Sequence, residues 1–162
     1  MVTTKINIKP HLAEYLYGKF YDPSRECIRF DDRLDIYHTL WDLMVKRPDD
    51  SPIDEGNVEI FLPKRAEGKN PRDYNYLGER SEKILERRIE DIFYAELRAK
   101  YDEEKHRIGQ TYLDTAHEFI CRYQIESITA DALIKDYYRY RVNVLKRTRT
   151  IRRYAKKDSS FS

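Results

Sequence analysis

The residues best suited to chemistry lie near the C-terminus, where cationic and amide side chains recur at helical spacing. Lys135, Arg139, Asn143 and Lys146 follow one another at intervals of three and four residues, so a helix places them on one face. Such a basic, hydrogen-bonding face can contact base edges and phosphates of a nucleic acid. A further run of arginines follows this face, and together these side chains form a predicted nucleic-acid-binding set: Lys135, Arg139, Asn143, Lys146, Arg147, Arg149, Arg152 and Arg153.

The charge of the chain is distributed unevenly. Residues 122–157 contain 11 Lys or Arg and 3 Asp or Glu, a net charge of +8. Residues 1–121 contain 20 Lys or Arg and 25 Asp or Glu, a net charge of −5, and Asp158 brings the total to the formal charge of +2. A basic end on a mildly acidic body favours binding to a phosphate backbone, because protein cations release the counterions condensed there. A solvated charged helix with a solubilising tail is the alternative interpretation.

Two helices joined by a short turn must carry this face. Apolar residues spaced by three and four predict the first helix over about 111–124 and the second over about 130–146. Thr129 can cap the second helix, because its hydroxyl accepts from free backbone N–H groups. The pattern is typical of a helix-turn-helix unit, whose second helix enters the major groove. The second helix's predicted buried stripe comprises Leu133, Ile134, Tyr137, Tyr140, Val144 and Leu145.

The remainder of the sequence predicts an α+β fold that is mostly α. Residues 1–75 form a small α+β part, with short strands at about 5–8, 26–30 and 57–62, a helix over 10–20, and a second helix capped by Asp31 or Asp32. Residues 76–146 form a helical part that begins with a long helix over about 76–105, and residues 147–162 form a basic tail able to follow phosphates as a flexible arm.

The sequence contains no pattern typical of a catalytic or metal centre. His11, His38, His106 and His117 are scattered, and none has a His or Cys partner three or four residues away. Asp54, Glu59 and Lys64 loosely resemble the set of a metal-dependent nuclease, but their spacing does not place them on one strand face. We therefore expect a non-enzymatic protein without cofactor or metal.

Cysteine usage and hydropathy indicate the compartment. Cys27 and Cys121 are far apart and lack paired spacing, which indicates a reducing environment. The N-terminus lacks the apolar core of a signal peptide, and no apolar run reaches membrane-spanning length. We expect a soluble, cytoplasmic protein that does not associate with membranes.

Five segments spread over most of the chain carry a resemblance to a known family. They are KPHLAEYL at 9–16, RPDD at 47–50, NVEIFLP at 57–63, NPRDYNYL at 70–77 and DALIKDYYRYR at 131–141. In these segments the chain resembles small DNA-binding proteins with a helix-turn-helix, encoded by bacteroidete phages and integrative elements. The resemblance implies a DNA-binding role and transfers no individual functional residue.

Two functional hypotheses follow. The first is a transcriptional or mobile-element regulator that reads double-stranded DNA with the helix at 130–146. The second is a protein–protein adaptor of a phage or mobile element; an exposed apolar patch along 84–97 would support the adaptor or a dimer. Either protein could be a homodimer. A continuous positive face over Lys135, Arg139 and Lys146 favours the DNA hypothesis.

Overall fold

The computed structural model describes residues 1–159, and these form an α+β fold that is mostly α, as the sequence predicted. The elements in chain order are β1 Thr3–Ile6, α1 Pro10–Phe20, β2 Tyr21–Asp22, β3 Cys27–Ile28, α2 Asp35–Leu43, β4 Val58–Phe61, α3 Glu79–Arg107, α4 Tyr112–Tyr123 and α5 Ala130–Ser159. Residues 160–162, the end of the predicted tail, lie outside the described residues.

The strands form one small sheet in the order β1-β4-β3-β2. β4 pairs antiparallel with β1, so that Ile6 lies opposite Val58, and parallel with β3 through Ile28 and Ile60. The short strand β2 pairs antiparallel with β3. Alternation along β4 buries Val58 and Ile60 and leaves the residues between them half-buried. The sheet therefore has one buried face.

One hydrophobic core joins the sheet to the helices. Helix α3 contributes its inward residues at every fourth position, namely Leu85, Ile89, Phe93, Leu97 and Tyr101. These residues pack in the same cluster as Ile60 of the sheet and Leu133 of α5. The core is thus continuous across residue 75, where the sequence predicted the boundary between the α+β part and the helical part.

Helix α1 fastens α3 to α4 at close range. A Cβ atom on Gly18 would lie 2.9 Å from the Cα and carbonyl oxygen of Tyr123 in α4, so only glycine allows this approach. The half-buried carboxylate of Glu96 in α3 accepts hydrogen bonds from Tyr15, Tyr123 and Lys19. Burial acts to raise the pKa of Glu96, but these three hydrogen bonds outweigh it and lower the pKa. The carboxylate stays charged and joins three elements.

The start of α2 differs from the prediction. Asp31 or Asp32 was expected to cap this helix, but α2 begins at Asp35 with Leu34 as its N-cap residue. The Asp31 carboxylate instead accepts from the backbone N–H of Arg33, which closes a local turn before the helix. Aspartate side chains bond as readily in such turns as at helix caps.

Candidate nucleic-acid interface

Helices α4 and α5 form the predicted pair with a short connection. α4 ends with Gln124 in the left-handed region, at φ 52° and ψ 47°. The backbone N–H of Ile125 donates to the carbonyl of Ile120, which satisfies a free carbonyl at the helix end. Thr129 caps α5, since its hydroxyl accepts from the N–H of Ala132 at 3.2 Å, as predicted. The prediction of two helices over 111–146 is confirmed.

A carboxylate from α1 holds the connection between these helices. One Glu14 oxygen accepts from the backbone N–H groups of Glu126 and Ser127, at 2.9 and 3.1 Å. The other accepts from the Ser127 hydroxyl at 2.6 Å. Burial acts to raise the pKa of Glu14, but the hydrogen bonds from Ser127 and Glu126 lower it overall. The turn is therefore anchored to the body of the protein, and with it the direction in which α5 starts.

The first three turns of α5 dock on α3 and α4. Leu133 is fully buried and Tyr137 is 3% exposed, which confirms the predicted centre of the apolar stripe. The Tyr137 ring contacts Tyr101 of α3 at a centroid distance of 4.5 Å, and its hydroxyl donates to Asp102. Burial and this hydrogen bond raise the pKa of Tyr137, so its phenol remains neutral. Arg98 of α3 adds an ion pair with Asp136 at 3.2 Å.

Beyond Tyr137 the helix leaves the body. Every residue from Tyr138 to Ser159 is exposed. The predicted burial of Tyr140, Val144 and Leu145 is therefore wrong: these side chains are 40%, 39% and 54% exposed. The last contact with α3 is the Arg98 guanidinium, which lies 3.9 Å from the Tyr140 ring centroid. The helical period continues past this contact, and every side chain from Val142 to Ser159 is exposed.

The predicted basic tail is helical. α5 continues without a break from Ala130 to Ser159, whereas the sequence placed its end at 146 and a flexible arm after it. The signal for continuation is present in the sequence, because Val144, Ile151 and Ala155 maintain the spacing of the apolar stripe. The exposed segment of 22 residues from Tyr138 to Ser159, which we call the projecting helix, is about 33 Å long at 1.5 Å per residue.

All eight residues of the predicted binding set lie on α5 and are exposed. Seven of them, from Arg139 to Arg153, lie in the projecting helix, and Lys135 lies exposed on the docked turns before it. Residues 138–157 contain nine cations and no Asp or Glu: Arg139, Arg141, Lys146, Arg147, Arg149, Arg152, Arg153, Lys156 and Lys157. The predicted set omitted Arg141, Lys156 and Lys157, although the charge count had included them. These nine cations are exposed on a single helix, with no acidic residue between them in the sequence.

Arg141 has a different role from its neighbours. Its guanidinium donates to the Tyr112 hydroxyl at 3.4 Å and lies 5.9 Å from the Tyr137 ring centroid. Arg141 lies close to the buried side of α5 and therefore pairs within the protein. It joins the base of the projecting helix to α4.

Two cations of the loop before α3, Arg65 and Lys69, contact other residues of the protein. Lys69 donates to the carbonyls of Trp41 and Asp42 at 2.8 and 2.9 Å, which satisfies the C-terminal end of α2. The Arg65 guanidinium lies 4.6 Å from the Trp41 ring centroid and contacts His38. These two side chains therefore join the loop to α2.

The apolar patch required by the adaptor hypothesis does not form on α3. Leu85, Ile89, Phe93 and Leu97 are buried, Ile92 is half-buried, and Ile84 is 39% exposed. Within residues 1–159, no cluster of three or more His, Cys, Asp or Glu side chains is placed to hold a metal ion. None of the described helices combines the length and apolar character needed to cross a bilayer.

Comparison with known proteins adds no family to this description. No protein-family model, curated protein or solved structure matches the chain.

Proposed function

We propose that this protein is a non-enzymatic protein that binds double-stranded DNA through α5. The observation that carries the proposal is the projecting helix, in which nine cations and no acidic residue are exposed over 138–157. Isolated surface cations are ordinary, but nine on one exposed segment form a single-sign field that attracts a polyanion. A role in transcription or in a mobile element is part of the proposal, and it draws on the resemblance of the five segments.

The surroundings of the projecting helix support this proposal. Of the 22 Lys and Arg residues before the projecting helix, nine form an ion pair with an acidic side chain, as Lys19 does with Glu96 at 2.6 Å and Arg47 with Asp54 at 2.6 Å. Asp136, which pairs with Arg98, is the last acidic residue before the projecting helix. Like charges at helical spacing repel one another. A phosphate backbone removes this repulsion, and an apolar partner would not.

The test is a salt titration of binding to a labelled random-sequence duplex, read by fluorescence anisotropy. The logarithm of affinity should fall with the logarithm of salt concentration, with a slope of about −0.9 for each phosphate neutralised. Removal of residues 147–162 deletes six of the nine cations. The slope should become shallower by up to about five units if all six contact phosphate. The deleted residues that the structure describes are exposed, so the body should remain folded.

Two control variants separate position from total charge. In the first, those six cations are changed to glutamine in the full-length chain, and its affinity and salt slope should equal those of the truncated protein. In the second, the exposed α3 residues Arg80, Arg87 and Arg88 are changed to glutamine, and it should bind almost as the intact protein does. Equal weakening by the α3 variant, per charge removed, would contradict the assignment to α5. Absence of salt-dependent binding by the intact protein would contradict DNA binding itself.

A further inference from the structure

The arrangement of charge around the projecting helix carries an inference beyond DNA binding in general. If each residue advances about 100° around the helix, the nine cations cover an arc of about 240°. The remaining arc of about 120° holds uncharged side chains, apart from Asp158 at its end. These are Tyr140, Val144, Thr148, Ile151 and Ala155. We call the two regions the cationic arc and the neutral arc.

The neutral arc continues the side of α5 that is attached to the body. Leu133 and Tyr137, which are buried, and Tyr140, which Arg98 covers, lie on this side. Lys135 and Arg139 lie on the opposite side of the same turns, in line with Lys146 and Arg153. The body of the protein therefore lies on the side of α5 opposite to the centre of the cationic arc. A large ligand can approach that centre without collision with the body.

We propose that the projecting helix lies within the major groove of B-form DNA, with Lys146, Arg149 and Arg153 towards the base edges and the neutral arc facing out of the groove. This inference rests on the proposed function. An α-helix with its side chains is about 10–12 Å across, and the major groove is about 12 Å wide and 8.5 Å deep. A helix in this groove faces the base edges on one side and a phosphate backbone on each flank, and its fourth side faces solvent. A broad cationic arc with one uncharged side matches this arrangement.

The other nucleic-acid grooves do not match this arc. The minor groove of B-DNA is about 6 Å wide and excludes a helix. The major groove of A-form RNA is deep and narrow, so side chains on a straight helix do not reach its bases. Contact with phosphates along one ridge of the duplex would use one narrow stripe of cations, whereas here cations lie on several sides. Continuous basic helices do enter the major groove in other DNA-binding proteins.

Each position on the arc then has a defined role. Lys146, Arg149 and Arg153 lie near its centre and reach the O6 and N7 acceptors of guanine. Arg152 lies on one flank, about 100° from Arg153, and contacts phosphate. Arg152 and Arg153 are adjacent in sequence, carry the same charge and are both exposed. They form a matched pair that separates base reading from phosphate contact.

The experiment begins with selection of a preferred duplex from a random-sequence pool by repeated binding. Arg153→Gln and Arg152→Gln are then compared on the selected duplex and on a random duplex at one salt concentration. Arg153→Gln should reduce the preference for the selected duplex by about 5- to 150-fold, the discrimination typical of one guanine contact. Arg152→Gln should weaken binding to both duplexes equally and leave that preference unchanged. Both variants should keep the far-ultraviolet circular dichroism of the intact protein.

Groove probes give an independent readout. Methylation of guanine N7, which lies in the major groove, should interfere with binding of the intact protein. A minor-groove ligand such as netropsin should not compete. Competition by netropsin without interference from N7 methylation would overturn the major-groove assignment. So would an equal loss of preference in both variants, tighter binding to duplex RNA, or failure to enrich any sequence. Each of these results would leave nucleic-acid binding in place. No binding to any duplex would instead overturn the proposed function.

Discussion

Replacement of Leu133 by alanine tests the way in which α5 is attached to the body. Leu133 is 0% exposed, whereas Leu145, three turns further along the same helix, is 54% exposed. Full burial of a leucine side chain contributes about 1.5–3 kcal/mol, and the cavity left by alanine adds a further term, so a Leu→Ala change in a core costs about 2–5 kcal/mol. For a chain of 162 residues, each kcal/mol corresponds to about 2–4 °C in melting temperature. Leu133→Ala should therefore lower the melting temperature by at least about 4 °C.

The matched control is Leu145→Ala, which makes the same chemical change on the same helix. It should alter the free energy of unfolding by no more than about 0.5 kcal/mol, because the side chain is exposed in the folded protein. Urea unfolding followed by circular dichroism gives both free energies. Hydrogen exchange of α5 and α1 amides shows whether α5 undocks by itself or unfolds with the core. A loss below about 1 kcal/mol for Leu133→Ala, or equal losses for both variants, would refute the docking described here.

Three further predictions concern the contacts that hold α1, α3 and α4. Tyr123→Phe removes one donor to Glu96 and should cost about 1.5–3 kcal/mol in urea unfolding at neutral pH. Hydrogen bonding lowers the pKa of Glu96, so the stabilisation by the Glu96 carboxylate is present above the unfolded-state pKa near 4.5. It is lost as the pH falls through the lower folded-state pKa. An unchanged cost of Tyr123→Phe in acid would contradict this dependence on pH. Gly18→Ala should cost about 1–3 kcal/mol, since its Cβ would meet the α4 backbone, whereas Gly78→Ala, with 3.7 Å to its nearest neighbour, should cost far less. Glu14→Ala removes both acceptor oxygens and should increase hydrogen exchange at the amides of Glu126 and Ser127; unchanged exchange would exclude the anchoring role.

Several features of this protein follow from its sequence, because they depend on contacts between near neighbours. Helix α1 begins at Pro10 and ends at Phe20 as predicted, since proline favours the first helical turn and the apolar spacing defines one face. The hydroxyl of Thr129 reaches a backbone N–H three residues away, so its cap could be recognised from the sequence. The uneven distribution of charge is also a property of the sequence itself. These local signals predicted the α+β class and the candidate binding residues.

Only the tertiary structure decided which apolar positions of α5 are buried. Leu133 and Val144 lie on the same side of the helix, but Leu133 packs on the body and Val144 is 39% exposed. Helical periodicity in the sequence indicates which side of a helix is apolar. It does not indicate how far along that side the neighbouring helices extend. The boundary between the docked turns and the projecting helix is set by the position of Arg98 on α3, 42 residues before Tyr140 in the sequence. Glu14, which anchors the turn, lies 112 residues before Glu126 in the sequence. No local pattern in the sequence could therefore indicate this contact.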